Sequence, residues 1–194
     1  NTLKPFDDVR VRKALWYALD LDSMVKLAFS GQAEVADACW PNSLPVYKPA
    51  EGEEAHVYDV EKAKELLKEA GYEDGFTFDL WVAETTAWVQ MAEMIQNALA
   101  EIGVTAKVQI MDQNTLLTKR TEGTFHAYIA RFSASSPDAD WWYNRLYSEG
   151  TRQENVMEYI NADVDEWLTT ARYSLDPAVR DECYFNILHQ WRMD

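Results

Sequence analysis

Apolar and polar residues repeat along this chain with two different periods, and the changes of period mark its elements. Asp7 and Asp8 precede VRVRKALWYAL, in which Val11, Leu15, Ala18 and Leu19 share one face of a helix that either aspartate can cap. Asp22 is the expected cap of a second short helix, Ser23 to Phe29, stopped near Gly31. From Gly31 to Gly52 the pattern turns irregular, punctuated by Pro41, Pro45 and Pro49, and this longest loop carries Trp40 and Tyr47. Asp59 opens the clearest helix, with Val60, Ala63, Leu66, Leu67 and Ala70 in its apolar stripe and Gly71 at its end.

The period then drops to two. Phe76, Phe78, Leu80 and Val82 alternate with Thr77, Asp79 and Trp81, which predicts a strand. Thr85 or Thr86 caps a long helix carrying Val89, Ala92, Ile95, Leu99 and Ile102, closed by Gly103, and Val104, Ala106, Val108 and Ile110 form a second alternating strand. Strand, helix and strand at these separations predict a parallel βαβ crossover. A helix from Asp112 to Glu122, a strand from Phe125 to Phe132, and two helices follow. The last two run from Asp163 to Tyr173 and from Pro177 to about Trp191, with Asp176 as cap and Pro177 at the first helical position. The expected fold class is α/β: a small, mainly parallel sheet flanked by helices.

Composition narrows the function. The chain has 194 residues with a net charge of -15, which excludes a nucleic-acid surface and disfavours docking on an anionic membrane. No apolar run reaches membrane-spanning length, so the chain itself is not expected to insert. The opening NTLKPFDD is neither a signal peptide nor a start methionine, so the chain reads as an excised or processed piece. Most of the 8 Trp and 10 Tyr fill core space, and a few are available to line a groove. Cys39 and Cys183 are far apart, and spacing leaves a disulfide and two thiols equally open.

Catalytic signatures are sparse. Phosphate-cradling glycine loops and a GxSxG elbow are absent, and His56, His126 and His189 share no ligand spacing. Ser23 and Lys26 match SxxK, but the companion motifs are missing and both read most simply as helix-terminal polar residues. No cofactor or metal is expected. The segment from Arg131 to Trp142 is the best candidate site. It follows a strand's C-terminal end, where α/β folds hold ligands, and combines Arg131, Phe132, Ser133, Ser135, Asp138, Asp140 and Trp141. The bland alternative is that Asp138 and Asp140 cap a helix and the tryptophans are core. Binding of a small ligand, whether to capture or to sense it, and hydrolysis by Ser23 and Lys26 or by the pair Asp138 and Asp140 both stay in view.

Three stretches, FDDVRVRKALWYALD, YDVEKAKELLKEAGYEDGFTFDL and AEMIQNALAEIGVTAKVQIMD, resemble the extracellular solute-binding proteins of ABC importers, in the group that takes dipeptides, oligopeptides or nickel complexes. The resemblance continues through EGTFHAYIARFSASSPDADWW and on to the end. It implies that residues 1–194 are a single lobe, most of the C-terminal one, of a two-lobe clamp of the type II periplasmic-binding-protein kind. It also implies a small peptide-like solute, permease subunits as partners, a monomeric state and an extracytoplasmic place, periplasmic or lipid-anchored. In peptide-binding relatives an acid following an aromatic pairs with the peptide amine. Setting Phe132 on that aromatic puts Ser135 at the acid position, where a serine offers no charge-assisted bond, and leaves Asp138 or Asp140 as substitutes. The resemblance further implicates Gln113 and Arg120 on the preceding helix.

Overall fold

Aspartates start most of the helices in the computed structural model, which describes residues 3–52, 55–130, 136, 138–151 and 154–194. The chain divides into two units, Asn1–Val35 with Val57–Arg131, and Ala36–His56 with Phe132–Asp194.

In the first unit Asp8 caps α1 (Val9–Tyr17) by accepting the Arg10 N–H at 2.8 Å. The second helix, α2 (Leu21–Ala28), begins earlier than the pattern predicts. Asp20 is its cap, accepting from the Ser23 N–H at 3.2 Å, and Asp22 lies in the first turn, where its charge opposes the helix dipole's positive end. Asp59 caps α3 (Val60–Glu69) through the Lys62 N–H. Thr85 precedes α4 (Thr86–Ala100) without a side-chain cap bond. Asp112 accepts from Asn114 and Thr115 to start α5 (Gln113–Arg120).

Three strands, β1 (Thr77–Ala83), β2 (Thr105–Met111) and β3 (Ala127–Ile129), form a wholly parallel sheet in the order β2-β1-β3. Strand β1 is paired along its whole length with β2, Thr77 opposite Thr105 through Ala83 opposite Met111. From Leu80 to Ala83 it is buried on both faces. Phe78, Leu80 and Val82 pack with Val11, Leu67, Ala92, Leu99 and Val104, while Trp81 and Ala83 pack with Leu116 and Phe125. The third strand is shorter than the pattern predicts. It pairs only with Leu80 to Val82, and Phe125 leaves the strand to pack its ring 5.0 Å from that of Tyr128 and 6.1 Å from that of Trp81. Residues 131 and 132 of the expected strand lie outside the described residues.

Where the first two strands begin, two glycines meet. Gly75 has φ of +75° and Gly103 of +79°, and a Cβ on Gly75 would stand 1.9 Å from the Gly103 carbonyl oxygen. From the Gly103 side the same approach is looser, because a Cβ there would lie 3.7 Å from the Gly75 Cα.

The second unit contains a 3₁₀ turn (Ala139–Trp142), the single turn α6 (Tyr143–Leu146), and the helices α7 (Ala162–Tyr173) and α8 (Pro177–Met193). Asn161 and Asp176 cap the last two, and Pro177 opens α8 as expected. The irregular loop is a packing element here: Trp40, Leu44 and Val46 enter a core with Leu168, Tyr184, Ile187 and Leu188. Arg192, buried near the end of α8, fixes that loop. Its guanidinium donates to the Asp37 carbonyl at 2.7 Å and the Lys48 carbonyl at 2.6 Å, and stands 3.3 Å from the Asp37 carboxylate. Cys39 and Cys183 are both free thiols, and desolvation raises both above the usual thiol range.

Two outcomes follow from this packing. Gly75→Ala should lower the unfolding free energy by about 3 kcal/mol or more, because the clash is with backbone, whereas Gly103→Ala should cost about 1–2 kcal/mol of left-handed strain; urea unfolding of the two variants compares them. The second concerns acid. Burial works against the Asp37 carboxylate, but the Ala50 N–H, the Tyr47 hydroxyl and Arg192 together hold its pKa below the ordinary value. A depressed folded pKa gives stability that is present above the unfolded value, about 3.9, and lost as pH falls through the folded one. The stability gap between wild type and Asp37→Asn should therefore be full at neutral pH and shrink below about pH 4, as read from unfolding curves across pH.

Candidate functional site

In the first unit, α5 carries two candidates. Gln113 is its exposed first residue and Arg120 its half-buried last one. A cation at that end complements the helix's unpaired carbonyls. The Arg120 Nε is buried and finds no hydrogen-bond partner among the described residues. Neighbouring Lys119 holds its ammonium 5.2 Å from the centre of the Trp81 ring.

In the second unit, Arg131, Phe132, Ser133 and Ser135 lie outside the described residues, and the description resumes with Ser136 and Asp138. Asp138 accepts the Asp140 N–H at 2.8 Å and so caps the 3₁₀ turn. The same carboxylate receives the Arg180 guanidinium at 3.2 and 3.3 Å. Asp140 is held more tightly: Nε and one terminal nitrogen of Arg172 each donate to one of its oxygens at 2.8 Å. This fork raises the Arg172 pKa, and the guanidinium also lies 3.5 Å over the Tyr143 ring. Trp141 stands edge-on to Trp142, ring centres 5.2 Å apart. The Arg145 guanidinium lies 3.6 Å over the Trp141 ring and donates to the Trp141 carbonyl at 3.1 Å.

Sequence reasoning found this segment but missed the three arginines that organise it. Trp141 and Arg145 are four apart and legible as a helical pair. Arg172 and Arg180 stand 32 and 42 positions from their aspartates, and no local spacing signals such contacts. As for hydrolysis, Ser23 and Lys26 are both exposed on α2 with no hydrogen bond between them, and both carboxylates of the other candidate pair are taken by arginine. Among the described residues no group of three or more His, Cys, Asp or Glu could hold a metal ion. Elsewhere in the second unit a cavity of about 430 Å³ lies against Lys48, Phe185 and His189, and none of the sequence-predicted site residues lines it. No helix of the described residues is long and apolar enough to cross a membrane.

The profile of the bacterial extracellular solute-binding proteins, family 5 Middle, matches residues 1–154. The chain belongs to this family. Family-5 relatives cover nearly all of it. The glutathione-binding protein GsiB of Salmonella typhimurium is 35% identical over 192 residues, covering 94% of this chain and 37% of its own length. GsiB of Pectobacterium atrosepticum is 36% identical over 196 residues with the same coverage. Among solved structures, the ABC transporter-associated periplasmic binding protein DppA from Helicobacter pylori, in complex with peptide STSA, superimposes with a TM-score of 0.91 at 25% identity. That match covers 98% of this chain and 38% of the other. A dipeptide-binding protein from a Pseudoalteromonas species, in complex with Met-Leu, has a TM-score of 0.91 at 26% identity, covering 98% of this chain and 39% of that one. The chain thus spans 37% of the length of the curated relatives it matches. The expected family and the expected sheet-and-helix layering both hold.

The two aspartates should differ in a stability measurement. Asn at 138 keeps the cap acceptor and loses only a half-exposed ion pair, so Asp138→Asn should cost less than about 1 kcal/mol. Asp140→Asn breaks a two-pronged bond and should cost about 1–2 kcal/mol in the same urea titration.

Proposed function

We propose that this chain is one lobe, most of the C-terminal one, of a two-lobe extracytoplasmic protein that captures a small peptide-like solute and delivers it to the permease of an ABC importer. The observation that carries this reading is the near-complete superposition on family-5 proteins solved with peptides bound. On this reading the working protein is a monomer that closes on solute by hinge motion, located in the periplasm or anchored by lipid at the cell surface. The lobe supplies one wall of the cleft, so alone it binds weakly: a ligand held on one side only leaves its other side in water.

The solute-facing set is Gln113, Arg120, Arg131, Phe132, Ser133, Ser135 and Trp141, with Asp138 and Asp140 in the same segment. Arginine and amide groups suit the carboxylates and peptide groups of such a solute, and aromatic rings supply apolar walls. Capture is favoured over hydrolysis because the two candidate carboxylates are neutralised by arginines and the candidate serine is an exposed helix residue.

Calorimetry on the full-length protein containing this chain tests the reading, with Met-Leu, glutathione and a nickel chelate as titrants. One peptide-like titrant should bind with Kd near or below about 1 μM. Because Ser135 carries no charge for a peptide ammonium, N-acetylation of a bound dipeptide should weaken it less than about tenfold. Absence of binding by all three titrants would reject solute capture of this class.

A further inference from the structure

Both aspartates of the candidate segment are engaged by arginines, Asp140 partly buried and Asp138 at the surface, and this arrangement assigns them a task other than solute contact. The 3₁₀ turn is four residues long and runs directly into a helix of four. Neither is long enough to hold its shape alone, because a first helical turn orders several residues for a single hydrogen bond. Its conformation is imposed from outside at three points. Ala139 is buried in the unit's core. Asp138 is gripped by Arg180 of α8, and Asp140 by Arg172 of α7. Arg172 is itself fixed on its other side by the Tyr143 ring, and Arg180 donates to the Ala171 carbonyl at 2.6 Å. The two cations therefore stand on a braced helical hairpin rather than on loose surface chains.

The turn carries Trp141, which is partly exposed. Its carbonyl and its ring are both engaged by Arg145, one helical turn further on, and its ring is T-shaped with that of Trp142. We infer that Arg172, seconded by Arg180, is a positioning residue for solute binding: through Asp140 and Asp138 it fixes the 3₁₀ turn and so the orientation of the Trp141 indole. The inference rests on the solute-capture reading above. It assigns the two carboxylates to the scaffold, which leaves no uncommitted acid among the described residues of the segment. An ordinary surface ion pair would matter little here. The Asp140–Arg172 fork differs because it has two parallel bonds and a stacked guanidinium, and such geometry fixes direction as well as distance.

The test uses the full-length protein, with glutathione and Met-Leu as probes, and the variants Arg172→Gln, Arg172→Lys and Asp140→Asn. Three quantities are read: Kd, the thermal midpoint, and the indole signal, taken as the near-ultraviolet circular dichroism difference between each protein and the same protein carrying Trp141→Phe. Arg172→Gln should weaken the probe that wild type binds by about tenfold and diminish the indole signal, while the midpoint moves by only about 2–4 °C. Arg172→Lys, which keeps the charge and loses the fork, should fall between wild type and Arg172→Gln. Asp140→Asn should match Arg172→Gln, and the double variant should be no worse than either, because both cut one link. Unchanged affinity in Arg172→Gln, weakened affinity with the indole signal intact, or additive losses in the double variant would each overturn the inference. If Arg172→Gln does not fold, Arg172→Lys and Asp140→Asn decide by the same three readings. Failure of unmutated protein to bind either probe overturns the solute-capture reading, and with it this inference; it is recognised because wild type, not the variants, is silent.

Discussion

The first unit is organised by one strand whose last four residues, Leu80 to Ala83, are buried on both faces. Side chains of β1 go into apolar surroundings in both directions, Phe78, Leu80 and Val82 to one side and Trp81 and Ala83 to the other. That burial fits its central place in a parallel sheet, where helices cover both faces. The crossover helix α4 and the shorter α5 are those covers. The contact of Gly75 with Gly103 belongs to the same constraint: β1 and β2 begin side by side, and backbone approaches backbone too closely for a side chain to intervene.

The second unit achieves order by other means. It has no sheet among its described residues, and its irregular stretch contributes a buried tryptophan rather than a strand. Long-range arginine bonds take the place of a backbone ladder. Arg192 satisfies two carbonyls and forms an ion pair with a carboxylate on one segment, and Arg172 and Arg180 bond carboxylates on another. Guanidinium is suited to this because its donors form a planar fork that can bond while largely desolvated.

Much of the first unit was legible because its periods are unbroken. Asp59 to Gly71 and Phe76 to Ile110 carry caps, stripes and alternation that agree with one another. Errors arose where local signals compete. Asp20 and Asp22 are both capping residues, and the choice between them depends on where Leu21 and Met24 find apolar contact. The third strand was overextended because Phe125 is as apolar in a ring cluster as in a strand, and only the packing of Trp81 decides between them. In the candidate segment, residue types and position were legible, whereas the role of the carboxylates was not. A capping aspartate and a ligand-facing aspartate look alike until their arginines are located.

The second unit's discontinuous build has a temporal consequence. Arg192 closes on Asp37 across 155 positions. At the pace of bacterial translation, about 5–20 residues per second, the stretch containing Trp40 emerges on the order of 10 s before the helix that covers it. During that interval an indole, a leucine and a valine destined for the interior lack the helix that covers them. The second unit therefore cannot complete its core until the last helix of the chain is present.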